Sequence, residues 1–173
     1  MTNKRTVALK KIQKIYEESF PEIERRTFNN LCSAFERFTY INLQLIEETD
    51  KTIGFIIYWE FREFIYVEYF AISEELRGGG LGKKAFHEFA KRQTKPIVLE
   101  VELPENDIAI RRIGFYERLG FILQQVEYIQ PPYHPNMPDL PLLLMTYGDI
   151  DFPKALLNIK SEIYKHCSYL SYI

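Results

Sequence analysis

A run of glycines constrains this chain more than any other sequence feature, because four of its eight glycines fall within the five positions 78–82. Glycine has no Cβ atom, so a glycine-rich backbone can approach a ligand closely and can point several N–H groups in one direction. Apolar residues at helical spacing predict a helix over residues 81–92, within and directly after the run. The unpaired N–H groups and positive dipole end of that helix favour an anion. The run therefore predicts a phosphate-binding loop.

The charge around the glycines supports the same interpretation. Residues 77–92 carry five basic side chains and one acidic one, Glu88, although the whole chain has a formal net charge of -2. A local excess of positive charge of this kind attracts a diphosphate. The alternative is a plain glycine-rich turn before a helix whose basic face is solvated.

Three known phosphate-binding patterns compete for the glycine run. The P-loop pattern fails at both ends, because Arg77 takes the place of its first Gly and Lys84 that of its Ser or Thr. The dinucleotide pattern G-x-G-x-x-[GA] is met by residues 80–85, with Glu100 twenty residues beyond the first of them. Its context is wrong, because five residues separate the glycines from the preceding strand, whereas a Rossmann turn is tight. The third pattern, R/Q-x-x-G-x-G/A, is met by residues 77–82.

Apolar periodicity predicts one α/β (or α+β) domain over residues 1–173, with a mixed central sheet of about six to seven strands flanked by helices. The predicted helices cover residues 7–20, 81–92 and 108–119, a second helix that begins at Pro21, and an extra C-terminal helical extension, residues 149–173, with Asp151 as its N-cap. The predicted strands cover residues 41–47, 53–61, 64–72, 97–103, 121–129 and 140–146, with a hairpin turn at 48–51. Because strand–helix–strand crossovers are right-handed, the third and fourth strands are expected to run parallel.

Composition limits the classes of partner. A net charge of -2 and a pI near 6.0 argue against a general nucleic-acid-binding surface. Cys32 and Cys167 are too few for a disulfide scaffold or a zinc ribbon, so we expect no metal. The N-terminal residues lack the apolar stretch of a signal peptide, and no apolar run is long enough to cross a membrane. We therefore expect a soluble cytoplasmic protein that binds neither nucleic acid nor membrane.

The glycine loop and a second motif, F-Y-x-x-L-G-F at residues 115–121, together resemble the GNAT superfamily of acyl-CoA-dependent N-acetyltransferases. Residues 69–72, 77–82, 97–102 and 115–121 are similar to the family's strand, pyrophosphate loop, splayed strand and Tyr-bearing helix. The resemblance extends from the first helix to about Thr146. The pair of motifs is specific, whereas neither motif is specific alone.

The resemblance implies acetyl-CoA as co-substrate and acetyl transfer to an amine as the reaction. It implies that amides of the glycine loop hold the pyrophosphate and that the backbone of the preceding strand pairs with the pantetheine arm. The residues assigned to the donor in this way are Ala71, Ile72, Arg77, Gly78, Gly79, Gly80, Leu81, Gly82 and Lys83. One departure concerns an Asn that many members carry seven residues before the Tyr. This chain has Ala109 there, and its Asn106 lies in a longer loop.

Acetyl transfer requires a neutral amine, and a lysine-like amine is neutral only about once in 2,500 molecules at pH 7, a penalty of roughly 4.6 kcal/mol. A carboxylate can take that proton. Glu68, on the strand before the glycine loop, and Glu100, on the next strand, are equal candidates for this base. Tyr116 matches the family's tyrosine and is the candidate general acid for the leaving thiolate. The alternatives are a packing role for Tyr116 and carboxylates that face solvent or pair with arginines.

The acceptor side of the site is marked by fewer residues. Glu102, on the same strand face as Glu100, and Tyr133, in the Pro-rich loop between the last two strands, are candidate acceptor contacts. The two N-terminal helices supply the expected other wall through the charged residues Glu22, Glu24, Arg25 and Arg26. The expected acceptor is a primary amine of a small molecule or peptide. An uncovered apolar stripe on the last helix would indicate a homodimer.

Two other functions fit parts of the pattern. A non-catalytic acyl-CoA- or nucleotide-binding module would use the glycine loop without a base or Tyr116. A dinucleotide-dependent oxidoreductase would use the literal G-x-G-x-x-A match at residues 80–85. Substituting Tyr116, and comparing NAD(H) with acetyl-CoA as stabilising ligands, distinguish these functions from acetyl transfer.

Overall fold

Five α-helices and six strands make up the part of the chain that the structure, a computed structural model, describes, residues 4–167. The helices are α1 (Lys4–Ser19), α2 (Phe28–Arg37), α3 (Leu81–Arg92), α4 (Asp107–Glu117) and α5 (Phe152–Cys167). The strands are β1 (Ile41–Glu48), β2 (Lys51–Glu60), β3 (Ile65–Ile72), β4 (Ile97–Glu102), β5 (Ile122–Gln130) and β6 (Leu140–Tyr147). Short 3-10 turns, Glu22–Glu24 and Glu74–Leu76, follow α1 and β3.

The sheet is open and mixed, with strand order β1-β2-β3-β4-β6-β5. β3 and β4 pair in parallel, and the other neighbouring pairs are antiparallel. Helix α3 connects β3 to β4, as the right-handed crossover rule requires for parallel neighbours. This architecture confirms the predicted fold class. The antiparallel β1–β2–β3 meander before the glycine loop is unlike the βαβ units of a dinucleotide-binding fold.

Two turns have conformations that follow from the residues within them. The turn between β1 and β2 consists of Thr49 and Asp50, both with positive φ (46° and 63°), which matches the right-handed twist of a two-residue hairpin. Gly120, at φ 91°, follows the end of α4, where the left-handed conformation ends a helix at low cost in glycine. The sequence indicates both conformations because each depends on only a few consecutive residues.

The second helix begins later than the sequence predicts. Pro21 precedes the 3-10 turn, and α2 starts at Phe28, where the Thr27 side chain accepts a hydrogen bond from a backbone N–H of the first turn. The prediction of a helix from Pro21 is wrong because this side-chain cap favours a new start at Thr27. Arg25, between the turn and the cap, is extended (φ -140°, ψ 155°), and the next residue, Arg26, is fully buried.

β3 and β4 separate where the candidate site begins. Residues 65–67 of β3 pair with residues 97–99 of β4, and the pairing ends there. The next residue, Glu68, has no partner in β2, because β2 pairs with Val67 before it and with Tyr69 after it. A bulge of this kind bends its strand and increases the local twist. The second half of β3 therefore diverges from β4.

The core has two layers, one on each face of the sheet. α1, α2 and α5 cover a ring-rich cluster that includes Tyr16, Phe55 and Trp59. α3 and α4 cover a second cluster on the other face, which includes Phe86 and Phe89. Aromatic side chains supply much of the buried area in both layers. Because the layers lie on opposite faces of the sheet, the diverging half of β3 lies between them.

Helix α5 packs on the chain's own core. Its buried stripe of Phe152, Ile159, Ile163 and Cys167 belongs to the same cluster as α1 and α2. The condition that would indicate a homodimer, an uncovered stripe, is therefore not met over residues 152–167. Leu170, which extends the predicted stripe, lies outside the described residues.

None of the helices within residues 4–167 combines the length and the hydropathy needed to cross a bilayer. In the same range, no three His, Cys, Asp or Glu side chains lie close enough together to hold a metal ion.

Candidate active site

The divergence of β3 from β4 opens a cavity of about 670 Å³, a size that accommodates a small-molecule ligand. We call it the donor cavity. Its walls come from the second half of β3, the glycine loop, α4, the middle of β4 and the end of α1. The predicted residues that line it are Glu68, Ala71, Ile72, Arg77, Gly78, Gly80, Gly82, Lys83, Glu100 and Tyr116. The other two predicted donor residues, Gly79 and Leu81, lie outside this lining.

The glycine loop presents backbone to the donor cavity. Gly78 and Gly80 adopt positive φ (88° and 78°), and a Cβ atom on either would meet no heavy atom within 4 Å. Gly80 is also the N-cap of α3 and makes no side-chain cap, so the first N–H groups of α3 have no helical acceptor. Positive φ values here require glycine, and the loop supplies amide donors to an anion.

Arg77 braces the loop. Its Nε atom donates to the Ile72 carbonyl at 2.9 Å and its guanidinium donates to the Ser19 Oγ at 2.9 Å. These contacts join the start of the glycine loop to the ends of β3 and α1. Gly82 lies close to β3, since a Cβ atom there would be 3.2 Å from the Ile72 Cγ1 atom. The loop is therefore held firmly against the sheet.

The β4-facing edge of β3 is open beyond Val67, because the parallel pairing ends there. Ala71 and Ile72 lie on this stretch and line the donor cavity. An extended molecule that carries amides can pair with the N–H and C=O groups of such an edge.

Helix α4 contributes positive charge to the donor cavity. Arg111, Arg112 and Arg118 line it, opposite Lys83 of α3. Arg112 also forms an ion pair with Glu102 at the end of β4. With Arg77, five basic side chains line this cavity, which makes it attractive to a polyanionic ligand.

Tyr116 lines the donor cavity and lies among aromatic rings. Its side chain is 8% exposed and packs against the rings of Phe86, Phe115 and Phe121. Burial raises the pKa of Tyr116 above its ordinary value, so the phenol keeps its proton and can donate a hydrogen bond.

Glu68 is fully buried and hydrogen-bonded at both oxygens. Its Oε1 atom accepts from the Arg26 Nε atom at 2.7 Å, and its Oε2 atom accepts from the Trp59 Nε1 atom at 2.6 Å. The Arg26 and Glu68 side chains are both 0% exposed. The guanidinium and the indole N–H therefore hold this carboxylate in one orientation.

Glu100 lies in a different environment. Its carboxylate accepts hydrogen bonds from the Tyr66 hydroxyl at 2.7 Å, from the Gln130 Nε2 atom at 2.6 Å, and from the Tyr128 hydroxyl. None of these donors is charged. Burial outweighs these bonds and raises the pKa of Glu100 to about 7, and the negative charge of Glu68 adds to the increase. A carboxyl group with this pKa can gain or lose a proton near neutral pH.

A smaller cavity of about 70 Å³ adjoins the donor cavity; we call it the acceptor cavity. The two share Phe20, Glu68, Glu100 and Arg112 in their linings. The remaining walls of the acceptor cavity are Glu24, Tyr69, Val101, Glu102, Gln130, Tyr133, Leu140 and Leu142. It is rich in carboxylates, and both predicted acceptor contacts, Glu102 and Tyr133, belong to it.

Several site residues carried no signal in the sequence. Tyr66, Tyr128 and Gln130 reach Glu100 from 34, 28 and 30 positions away, so no local spacing marks them. Arg118 was readable in principle, because it lies inside the F-Y-x-x-L-G-F motif. Asn106, in the loop before α4, caps this helix, because its side-chain oxygen accepts hydrogen bonds from the N–H groups of residues 108 and 109.

The model of the Acetyltransferase (GNAT) family matches residues 8–121 of this sequence. The chain belongs to the GNAT family of acetyltransferases. A solved structure titled "Putative acetyltransferase from GNAT family", from Bacteroides thetaiotaomicron, is 38% identical to this GNAT chain with a TM-score of 0.88. The alignment covers 95% of this chain and 94% of that one. The family resemblance seen in the two motifs is confirmed.

Further relatives agree with this assignment. A Bacillus subtilis (strain 168) protein named "Putative acetyltransferase YjbC" is 41% identical over 68 residues, which are 38% of this chain and 35% of that protein. The match therefore spans about a third of that relative. A GNAT phosphinothricin acetyltransferase from Sinorhizobium meliloti, solved with AcCoA, is 19% identical with a TM-score of 0.58 over 82% of this chain and 83% of its own. It shares the fold.

Proposed function

We propose that this GNAT chain transfers the acetyl group of acetyl-CoA to a primary amine of a small molecule or peptide, by direct attack of the amine on the thioester. One observation carries the proposal: the donor and acceptor cavities adjoin, and Glu100 is one of the four residues that line both. The donor cavity is lined by the glycine loop and Tyr116, and the acceptor cavity by carboxylates. This arrangement allows both substrates to bind at once with their reacting groups side by side.

Acetyl-CoA is the donor that the larger cavity fits best. The loop amides and the basic side chains of α3 and α4 suit a diphosphate, and the open edge of β3 suits the amides of a pantetheine arm. Two structures that share the fold support this choice, because one was solved with AcCoA and the other, a Bacillus subtilis acetyltransferase with a TM-score of 0.51, with CoA.

Glu100 is the proposed base. An amine that enters as a cation must lose a proton before it attacks, and a carboxyl group with a pKa of about 7 accepts that proton efficiently near neutral pH. Glu68 was an equal candidate from the sequence. Its bonds to Arg26 and Trp59 favour a supporting role, in which it keeps the bulge of β3 in place.

Tyr116 is the proposed donor to the leaving sulfur. As the tetrahedral intermediate collapses, the C–S bond breaks and the electron pair remains on the CoA thiolate. A protonated phenol in the lining of the donor cavity can hydrogen-bond to that thiolate or give it a proton. Because its pKa is raised, hydrogen bonding is the larger part of its effect. Backbone amides on the open edge of β3 can stabilise the oxyanion.

The acceptor is proposed to be cationic before it reacts. Glu24 and Glu102 line the acceptor cavity with Glu100, and the pKa of Glu24 is raised by burial and then by the nearby charge of Glu102. Structures that share the fold are titled as a spermidine N-acetyltransferase chimera and as an Escherichia coli ribosomal-protein-S18-alanine N-acetyltransferase. Those names support an amine of either a small molecule or a protein.

The decisive test is turnover of acetyl-CoA with a library of amines. The library would hold polyamines, amino sugars, lysine-containing peptides and peptides with free N-termini, and release of free CoA thiol would be measured. Amine-dependent thiol release is the expected result. If acetyl-CoA binds and raises the melting temperature but no amine is acetylated, the chain is an acyl-CoA-binding module. If NAD(H) rather than acetyl-CoA stabilises the protein, the donor assignment is wrong.

Replacing Tyr116 by Phe is expected to lower kcat roughly 10- to 100-fold, the worth of one hydrogen bond to a charged group. The Kd for acetyl-CoA should change less than about twofold, since the ring contacts remain. Steady-state kinetics and calorimetric titration would measure the two quantities. Tyr147→Phe is the matched control, because Tyr147 packs on the same Phe121 ring without lining either cavity. Equal losses in the two variants would contradict the assignment.

Replacing Glu24 by Gln is expected to raise the KM for a cationic acceptor roughly threefold to tenfold, with the KM for acetyl-CoA unchanged. The effect should shrink as salt is raised from 50 to about 500 mM, because salt screens a half-exposed charge. Glu22→Gln is the control, since Glu22 is exposed in the same 3-10 turn. An unchanged KM for Glu24→Gln would remove this residue from the acceptor site.

A further inference from the structure

Arg26, which the sequence analysis assigned to the expected acceptor wall, is a fully buried charge. The ion pair between its Nε atom and Glu68 is 2.7 Å long, and both side chains are fully buried. Removing two charges from water is costly, and a buried ion pair is often no more stabilising than apolar residues of similar volume. Stability alone therefore does not explain why the pair is there.

The same guanidinium reaches helix α5. Its Nη2 atom donates to the His166 carbonyl at 2.9 Å, across 140 positions of the sequence. His166 lies near the end of the described part of α5. A charged donor of this kind forms a stronger hydrogen bond to a carbonyl than a neutral one does. Arg26 thus joins α5 to the bulge of β3.

From Arg26 the contacts continue to the base. The Tyr133 ring lies 5.3 Å from the Arg26 guanidinium carbon. The Gln130 Nε2 atom donates to the Tyr133 hydroxyl at 3.3 Å and to Glu100 at 2.6 Å. Tyr133 and Gln130 both line the acceptor cavity. A second contact joins the same two segments, between the His134 Nε2 atom and the Arg25 carbonyl at 2.9 Å.

We propose that Arg26 is a positioning residue that couples helix α5 to the acceptor cavity. It holds the last turn of α5, the bulge at Glu68 and the Tyr133 side chain in one arrangement, and so fixes the wall that faces Glu100. Helix α5 lies beyond the residues that the family model matches, and this coupling makes it part of the acceptor site. The name of the cavity rests on the proposed function, whereas the coupling rests on the contacts.

Four variants separate positioning from simple stabilisation. Arg26→Met removes the guanidinium and leaves a buried carboxylate. Arg26→Met with Glu68→Gln removes both charges and keeps the protein testable if the single variant fails to fold. Arg26→Lys keeps a charge for Glu68 but lacks the second arm that bonds α5. Arg5→Met is the matched control, since Arg5 also bonds carbonyl groups, of Phe35 and Phe38, at 2.9 and 3.1 Å, away from both cavities.

Hydrogen–deuterium exchange gives a readout that does not depend on turnover. In the double variant, residues 131–139 and the last turn of α5 should exchange at least about tenfold faster than in the parent, with the glycine loop 78–83 unchanged. Arg26→Met should lower the melting temperature by roughly 10 °C, and Arg26→Lys should recover most of that loss. Arg26→Lys should not recover the protection of α5 amides against exchange. Arg5→Met should increase exchange only near residues 35–41.

Kinetics and binding complete the test. The double variant should raise the KM for the acceptor roughly tenfold, whereas calorimetric titration of Arg26→Lys, which leaves the donor-cavity lining unchanged, should give a Kd for acetyl-CoA within about twofold of the parent. Unchanged exchange at residues 131–139 in the double variant, or the same pattern in Arg5→Met, would overturn the coupling. Absence of amine turnover in the parent would instead defeat the proposed function, and the exchange result would still decide the role of Arg26.

Discussion

Replacing Glu100 by Gln is expected to lower kcat/KM for the acceptor about 10²- to 10⁴-fold, the usual worth of a general base. The amide has nearly the shape of the carboxyl group, so both cavities should keep their form. The Tyr66 and Tyr128 hydroxyls can rotate to accept from the new NH₂ group. In the parent, kcat/KM should rise with pH through an apparent pKa near 7, the value that burial gives Glu100. In the Glu100→Gln variant, this rise of kcat/KM with pH should be absent.

The same substitution is expected to stabilise the protein at high pH. The pKa of Glu100 is raised from 4.5 to about 7 in the folded state, so folding favours the protonated form. The protonated Glu100 carboxyl group makes its full contribution to the free energy of unfolding below about pH 4.5, and this contribution is lost as the pH rises through 7. The loss amounts to about 3 kcal/mol. Glu100→Gln has no such loss, so its melting temperature at pH 8 should exceed that of the parent by roughly 5 to 10 °C.

Calorimetry at pH 5, 6.5 and 8 would measure this difference, and Glu105→Gln provides the control. It makes the same chemical change at an exposed position just beyond β4. Its melting temperature should follow that of the parent at every pH. A Glu100→Gln variant that loses stability at pH 8, or that keeps full turnover there, would show that Glu100 is not a carboxyl group held neutral by burial and used as the base.

Replacing Gly80 by Ala is expected to raise the Kd for acetyl-CoA roughly 100-fold, the equivalent of about 3 kcal/mol. Gly80 has a φ of 78°, and a Cβ atom there would meet no protein atom within 4 Å, because it would project into open space. Gly80 lines the donor cavity, so the methyl group would take up room beside the loop amides. Strain of roughly 1 to 2 kcal/mol in the left-handed region would also distort the loop.

Gly120→Ala separates the backbone strain from the effect on binding. Gly120 has a similar φ of 91°, but a Cβ atom there would lie 3.4 Å from the Tyr147 ring, away from the donor cavity. Both variants should unfold at lower temperature by a similar amount, whereas only Gly80→Ala should lose affinity in a calorimetric titration. Equal affinities for acetyl-CoA in the two variants would mean that the diphosphate does not bind at this loop.

The comparison of Glu68 with Glu100 shows where inference from the sequence ends. Both carboxylates were readable as candidates, because each interrupts an apolar strand beside the glycine loop. The sequence does not distinguish them, since their difference lies in their partners. Arg26 comes to Glu68 from 42 positions away, and Tyr66 comes to Glu100 from 34. One carboxylate is therefore paired with a cation, and the other is buried among neutral donors.

Arg26 illustrates the same limit at the level of local structure. Read as part of a helix from Pro21, it belongs on the surface of that helix. The Thr27 cap starts the helix later and leaves Arg26 in an extended segment, where its side chain is buried against β3 and α5. The sequence thus indicated Arg26 as part of the acceptor wall, but it did not indicate that the side chain is buried or that it bonds to α5.

The sequence by itself determined the glycine loop, the hairpin turn, the parallel β3–α3–β4 unit and the family, because each of these depends on residues close together in the chain. Only the tertiary structure decided that Glu100 has a raised pKa, that two cavities meet beside it, and that Arg26 bonds to α5. Those properties depend on burial and on contacts between distant segments, and a local pattern of residues does not encode the environment in which each side chain is buried.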